Sequence, residues 1–314
     1  RQETEVILPD DSTLNAVQYN KIRQEAERAL RDSGAIDVLP TPTEAIMRVA
    51  KISEVREDVL DTSAITDYRK HAGGFGDVLR RAISKVLGLI HAPSGLICLD
   101  KSLIEVKKRF VGFHEAAHGF LPWQRAMYSY VEDGEQELDP ESAELFDKEA
   151  NVFAAEILFQ LDTFVNMSND ANFGLKTPIN LARKFNASLY ASIRQYVSKN
   201  HRSCAVLVLY MPERISGGQG YSAKLRRRVQ SPSFTELFGA CLNTEQFTST
   251  GPIGSAIPLG RKRFTSPQTI VLKDINGEDH ECMIEGFTNT HQVFILFHDL
   301  GVFSRRSVSG SQWG

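Results

Sequence analysis

Residues 113–119 of the chain read FHEAAHG. On an α-helix, side chains four positions apart lie on one face, so His114 and His118 can present two imidazole nitrogens to a single zinc ion. Glu115, the next residue along, would face a zinc-bound water as a general base. Two buried histidines that only fill a core would give the same pattern. The surrounding sequence must therefore decide between a metal site and a structural pair.

A helix is predicted around this pattern. Apolar residues recur at helical spacing from Leu103 to Leu121, and Pro122 ends the run. The two histidines therefore lie in the last turns of a half-buried helix. This context favours a site that faces the protein interior.

A catalytic zinc needs a third protein ligand and one open position for water. A second helix, beginning at Asp139-Pro140 and carrying an apolar stripe to Leu161, is predicted downstream. Three acidic residues lie in its early turns: Glu144, Asp147 and Glu149. Any one of them could turn inward to the metal, and the others would then be solvated charges.

Two segments together resemble the ImmA/IrrE family of zinc metallopeptidases. They are FHEAAHG at residues 113–119 and DKEANVFAAEIL at residues 147–158. In that family the acid four residues before the asparagine is the third ligand. The resemblance therefore implies Asp147 as a ligand, with Asn151 beside the ligands one turn on. The family usually has Glu at this position, and the shorter reach of Asp leaves Glu149 as an alternative third ligand.

The resemblance covers about residues 40–200 and implies an α+β fold. We expect a mainly helical, zincin-like metallopeptidase domain with a small antiparallel sheet, followed by a β-rich C-terminal domain. Three parts are predicted: an N-terminal helix in residues 1–39, the peptidase domain with a terminal helix pair in residues 40–200, and a C-terminal domain in residues 201–314. A regulatory role is one hypothesis for the C-terminal domain. Short strands at residues 88–92 and 95–100 would form the hairpin before the zinc helix.

The C-terminal third changes from helical patterns to short strands. Residues 204–210 predict a buried strand, and residues 291–297 predict another. Asn276-Gly277 between two alternating segments is a strong hairpin signal. Basic clusters at residues 224–228, 261–263 and 305–306 are typical of solvated surface, although they could also contact nucleic acid or an acidic partner.

Composition is that of an ordinary globular protein. The chain has 314 residues, a net charge of −3, 42% hydrophobic and 24% charged residues. The charge argues against nucleic acid as the main ligand, and no apolar run is long enough for a membrane helix. We expect a cytoplasmic protein whose cysteines are free thiols in a reducing compartment: Cys98, Cys204, Cys241 and Cys282.

The sequence thus predicts an intracellular zinc endopeptidase with one catalytic Zn²⁺ and Glu115 as general base. The family resemblance implies a protein substrate, a helix-turn-helix repressor of a phage, mobile-element or stress-response system. Two other interpretations stay open. One is a non-catalytic regulatory or binding protein with a structural or vestigial zinc site, and the other is a DNA-binding regulator built on residues 177–200 and the basic clusters.

Overall fold

A computed structural model of the protein describes residues 14–50, 53–55, 88–91, 96–99, 105–125, 140–215, 220–239, 241–259 and 263–302. These residues form two compact units. The helical unit comprises the described residues up to Met167 together with Asn180–Ala191, and the sheet unit comprises Ser168–Ile179 together with the described residues from Ser192 onward. The fold is α+β, as predicted.

The helices of the described residues are α1 Ala16–Asp32, α2 Thr43–Val49, α3 Glu105–Phe120, α4 Pro140–Leu158, α5 Thr163–Asn169, α6 Lys176–Lys184, α7 Leu189–Ser198 and α8 Pro232–Phe238. The strands are β1 Ser53–Val55, β2 Gly88–His91, β3 Leu96–Leu99, β4 Cys204–Tyr210, β5 Glu213–Arg214, β6 Tyr221–Gln230, β7 Gln246–Thr248, β8 Gln268–Lys273, β9 Asp279–Thr288 and β10 Gln292–Val302. None of these helices has both the length and the hydrophobicity needed to cross a bilayer.

Helix α1 begins with a capping box. The Asn15 side chain accepts a hydrogen bond from the Gln18 backbone N–H at 2.9 Å, and the Gln18 side chain accepts one from the Asn15 N–H at 3.1 Å. Its apolar side is buried at four positions: Ile22, Ala26, Ala29 and Leu30. The helix therefore packs against its own unit.

Polar contacts fix α1 on α4. The Tyr19 hydroxyl donates to Glu156, and Arg23 forms an ion pair with the same carboxylate at 3.1 Å. Glu156 is only 2% exposed, so these two partners neutralise a buried charge. Arg23 also pairs with Asp162.

The buried side-chain amide of Gln160 connects the segment after α1 with the end of α4 through hydrogen bonds. Gln160 donates to the Ala35 carbonyl and to the Thr41 hydroxyl, both at 2.8 Å. It also accepts a hydrogen bond from the Asp37 N–H at 3.1 Å. The Thr41 hydroxyl in turn donates to the Ile157 carbonyl at 3.0 Å. This network gives the polar groups of a buried connection their partners.

Helix α3, which carries His114 and His118, packs closely on α2. A Cβ added at Gly112 would lie 3.1 Å from the Thr43 Cγ2 atom and 3.7 Å from the Met47 sulfur. The absence of a side chain at this position of α3 therefore lets the two helices approach.

The small sheet has the order β1-β3-β2. β2 and β3 pair antiparallel, which confirms the predicted hairpin. β1 pairs with β3 in parallel, so the small sheet, which was predicted as antiparallel, is mixed. The sequence around β1 shows no alternation of apolar and polar residues, which is why this strand was not predicted.

The sheet unit contains a sheet in the order β5-β6-β4-β10-β9-β8, with β7 paired to β6. Its neighbouring strands are antiparallel. The predicted strand at residues 204–210, the Asn276-Gly277 hairpin and the strand beginning near residue 291 are confirmed. The cysteines Cys204, Cys241 and Cys282 are free thiols, also as predicted.

Strand β6 and helix α8 are among the elements of this unit that were not predicted. The basic cluster at residues 224–228 lies within β6, where buried Ala223 and Val229 alternate irregularly with half-buried and exposed residues. Helix α8 follows directly, capped by the Ser231 hydroxyl, and buries Phe234 and Phe238 in the core under the sheet. The charged face of β6 hid the strand periodicity in the sequence.

Candidate metal centre

Helix α3 presents both histidines of the pattern to the interior of the helical unit. His114 is 2% exposed and His118 is 9% exposed. Their ring centroids lie 5.1 Å apart with the planes at 81°. This is the arrangement expected of side chains one helical turn apart. Helix α4 covers them, and Phe153 of α4 is fully buried against Phe120 of α3.

Helix α4 orients His114 from two positions. The Asn151 Oδ1 atom lies 3.1 Å from the His114 Nδ1 atom. Because that oxygen can only accept, Nδ1 carries a proton, and Nε2 is the atom that would bind a metal. The Asp147 Oδ1 atom lies 3.6 Å from this Nε2 atom. Asp147 and Asn151, one turn apart on α4, thus contact opposite sides of the same imidazole.

A second hydrogen-bond chain orients His118. The Gln124 Oε1 atom lies 2.7 Å from the His118 Nδ1 atom, so this ring also donates through Nδ1 and keeps Nε2 for a metal. Gln124 is fully buried, and its amide nitrogen donates to the Glu149 carboxylate at 2.7 Å and to the Phe146 carbonyl at 3.2 Å. Trp123 donates to the same Glu149 oxygen at 2.7 Å.

One ligand atom from each of His114, His118 and Asp147 lies within 4.8 Å of the other two. Two imidazoles and a carboxylate are a donor set that zinc accepts, and the two rings already have the tautomer that ligation through Nε2 requires. The residues therefore fit a divalent metal. Glu149, the alternative ligand, instead accepts hydrogen bonds from Gln124 and Trp123.

Burial sets the charge states of this cluster. Burial, and after it the charge of His114, lowers the pKa of His118 to about 4, so this ring is neutral, as a metal ligand must be. Burial also lowers the pKa of His114, but the Asp147 and Glu115 carboxylates outweigh this effect and raise it. A metal cation would take the place of the proton that these two carboxylates stabilise.

Glu115 lies beside this cluster and is only 5% exposed. Burial raises the pKa of its carboxyl group, while the charge of His114 opposes that shift. Within the residues that the structure describes, no hydrogen bond or ion pair engages its carboxylate. A carboxylate with a raised pKa and free oxygens is suited to accept a proton near neutral pH.

Gln124 is a residue of this site that was not predicted from the sequence. Residues 122–125 form a helical turn, and residues 126–139 lie outside the described part of the chain, as does the predicted N-cap Asp139. A lone glutamine six residues after the second histidine carries no periodicity or motif signal. Only the fold shows that it links His118 to Glu149.

We expect Gln124→Leu to weaken zinc binding by about 10–100-fold, the usual effect of losing a partner that orients a ligand. Leucine has a similar volume but cannot accept the His118 Nδ1 proton. Zinc affinity should be measured by competition with a chelator, alongside the free energy of unfolding.

The matched control for this change is Trp123→Phe, which removes the other donor to Glu149 and leaves the bond to His118. It should weaken zinc binding far less. Equal zinc affinities for the Gln124→Leu variant and the wild type would contradict the positioning role, even if the variant were less stable.

The fold and the site define a metallopeptidase-like domain of the HExxH type. Residues 74–193 match the peptidase M78 family, described as an IrrE N-terminal-like domain. This segment includes both motif helices, so the chain contains a domain of the ImmA/IrrE family, as its sequence predicted.

Comparison with solved structures finds a Mycobacterium tuberculosis transcriptional regulator that is 14% identical to this chain. The alignment covers 89% of this chain and 76% of the regulator, with a TM-score of 0.47. Comparison with curated proteins finds no significant match.

Proposed function

We propose that the protein is a zinc-dependent endopeptidase with His114, His118 and Asp147 as the metal ligands. The observation that carries this proposal is the convergence of three ligand atoms within 4.8 Å of one another, beside a buried glutamate. Two imidazoles and one carboxylate are a donor set that is typical of catalytic zinc.

A zinc ion held there would lower the pKa of water towards about 7 and polarise the scissile carbonyl. Glu115 accepts the proton of the attacking water and passes it to the leaving amine. Asn151 and Gln124 hold the two imidazoles in the tautomer that leaves Nε2 towards the metal. The surrounding burial excludes bulk water from these groups and strengthens their electrostatic interactions.

The number of protein ligands supports a catalytic rather than a structural zinc. A structural site fills all four positions with protein side chains, whereas a catalytic site keeps one position for water. Among the described residues, the cluster contains three such groups. This is the count expected of a hydrolytic centre.

The proposed substrate is a helix-turn-helix transcriptional repressor, on the strength of the resemblance to ImmA/IrrE peptidases. The first candidate is a repressor encoded beside the gene of this protein. Purified zinc-loaded protein is expected to cut it into discrete fragments, and a chelator should stop the reaction. If the repressor is not cleaved, with or without chelator, it is not the substrate of this protein.

The third ligand can be assigned by comparing two variants. We expect Asp147→Ala to weaken zinc binding by more than the ~100-fold that loss of an orienting partner costs, because it removes a ligand atom. Glu149→Gln should weaken binding by only about 10–100-fold, since Glu149 acts through Gln124.

Chelator competition measures both zinc affinities, and Glu141→Gln, an exposed change in the first turn of α4, serves as the control. The reverse ranking of the two variants would make Glu149 the ligand.

A further inference from the structure

A second group of ligand-type side chains lies in the sheet unit, at the turn between β8 and β9. One ligand atom from each of Asp274, Glu278 and His280 lies within 4.8 Å of the other two. Asp274 follows the last residue of β8, and His280 is the second residue of β9. All three belong to a unit that the proposed peptidase chemistry does not use.

His280 is 5% exposed and is oriented by a carboxylate from the neighbouring strand. Its Nδ1 atom lies 3.1 Å from the Asp299 Oδ1 atom of β10. Because a carboxylate only accepts, Nδ1 is the donor in this contact, and Nε2 is the ring atom left to bind a metal. This is the carboxylate–histidine arrangement that orients imidazole ligands in metal sites.

The backbone of β10 is irregular at this point. The pairing of β9 and β10 shifts register between Asp299 and Gly301, and Gly301 has a φ of 110°. The Asp299 carboxylate also accepts a hydrogen bond from the Gly301 N–H at 3.0 Å. Bulges of this kind aim a side chain in a direction that a regular strand would not allow. The side chain that this bulge orients is Asp299, which accepts the hydrogen bond from His280.

The other nitrogen of His280 faces Asp274. Its Nε2 atom lies 3.7 Å from the Asp274 Oδ2 atom, beyond hydrogen-bond range. Among the described residues, no hydrogen bond to this nitrogen is formed. Either a proton on Nε2 or a metal ion between the two atoms would offset the repulsion between a lone pair and the carboxylate oxygen. The same pair of residue types is 3.6 Å apart in the first site, between His114 and Asp147.

Asp274 is held in place for such a role. Its Oδ1 atom accepts hydrogen bonds from the backbone N–H groups of Asn276 and Glu278, each at 2.8 Å. Its Oδ2 atom, which faces His280, accepts a hydrogen bond from the Asn276 amide at 3.2 Å. Glu278 is exposed, so its carboxylate can close the third side from solvent.

We propose that Asp274, Glu278 and His280 bind a second divalent cation, of the zinc class, that links the β8–β9 turn to β10 through Asp299. One imidazole and two carboxylates are a common donor set for such ions. The ion stabilises the sheet unit, because it binds residues that only the folded turn brings together.

The test uses the full chain and counts bound zinc after dialysis against buffered free Zn²⁺. The wild type should bind two equivalents, the H114A/H118A variant one, the H280A variant one, and the triple variant none. Zinc should also raise the Tm of the H114A/H118A variant. The proposal is overturned if the H114A/H118A variant binds no zinc or if the H280A variant keeps both equivalents.

A second variant, at the exposed residue Glu278, tests the site even if the H280A protein does not fold. In the H114A/H118A background, Glu278→Gln should weaken zinc binding by more than ~10-fold, because it removes a charged ligand. Glu281→Gln is the matched control, since side chains alternate along β9 and this one points away from the turn site. Equal zinc affinities for the two variants would contradict the site. Since the first site is absent from both proteins, this result does not depend on the peptidase proposal.

Discussion

The Glu115→Gln variant is expected to bind zinc as tightly as the wild type and to cleave the repressor about 10²–10⁴-fold more slowly. Glutamine fills the same buried space, so the helix and the three metal ligands are preserved. Its amide cannot accept the proton of the attacking water. Zinc affinity and the rate of fragment formation should be measured on the same preparation.

Glu105→Gln is the control for this variant, because it removes an exposed acid from the same helix. Its cleavage rate should equal that of the wild type. Cleavage at the wild-type rate by the Glu115→Gln protein would exclude Glu115 as the general base. Loss of zinc from that protein would instead make Glu115 part of the metal site.

The His118→Ala variant is expected to lose both zinc and cleavage. Removing an imidazole leaves two ligands, and the loss of affinity should exceed the ~10–100-fold that follows from disturbing an orienting partner. The Gln124 oxygen also loses its donor, so part of the change is expected in the free energy of unfolding. Zinc content, cleavage and chemical denaturation should therefore be measured together.

His201→Ala serves as the control for this experiment, since His201 is exposed and lies outside both ligand clusters. His118→Gln is a second variant that fills more of the buried space. A folded His118 variant that keeps zinc and cuts the repressor would contradict the ligand assignment.

Much of the helical unit followed from periodicity. The apolar spacing around residues 113–119 predicted α3, and the two motifs together predicted the family. Local signals also predicted the β8–β9 hairpin at Asn276-Gly277, but its register differs from the two-residue turn that this pair favours. Lys273 pairs with Asp279 and the Asp274 N–H donates to the Glu278 carbonyl, so residues 275–277 form a three-residue turn.

Features that depend on tertiary structure were not predictable in this way. Gln124 and Glu149 act through each other and through His118, and such a chain of hydrogen bonds leaves no pattern in the sequence. Strand β6 was hidden because its basic side chains interrupt the apolar alternation. Strands β1 and β3 pair in parallel although they lie more than 40 residues apart in the chain, and no local signal predicts such a pairing.

The assignment of the metal ligands, the identity of the ion and the three-part domain division stay predictions. The division into a helical and a sheet unit describes compactness within the described residues. A regulatory role for the C-terminal residues is likewise an expectation from sequence.

The attachment of α1 to α4 bears on how the peptidase part of this protein can be isolated. The family match begins at residue 74, so a fragment trimmed to it would lack Tyr19 and Arg23, the partners of Glu156. Without α1, Glu156 would be opened to solvent, and the surface that covers Ile22, Ala26, Ala29 and Leu30 would lose its apolar partner. Gln160 would lose its partners in the same truncation. The boundary of the homologous segment is therefore not the boundary of the folding unit, and helices α1 and α2 belong to the scaffold of the helical unit.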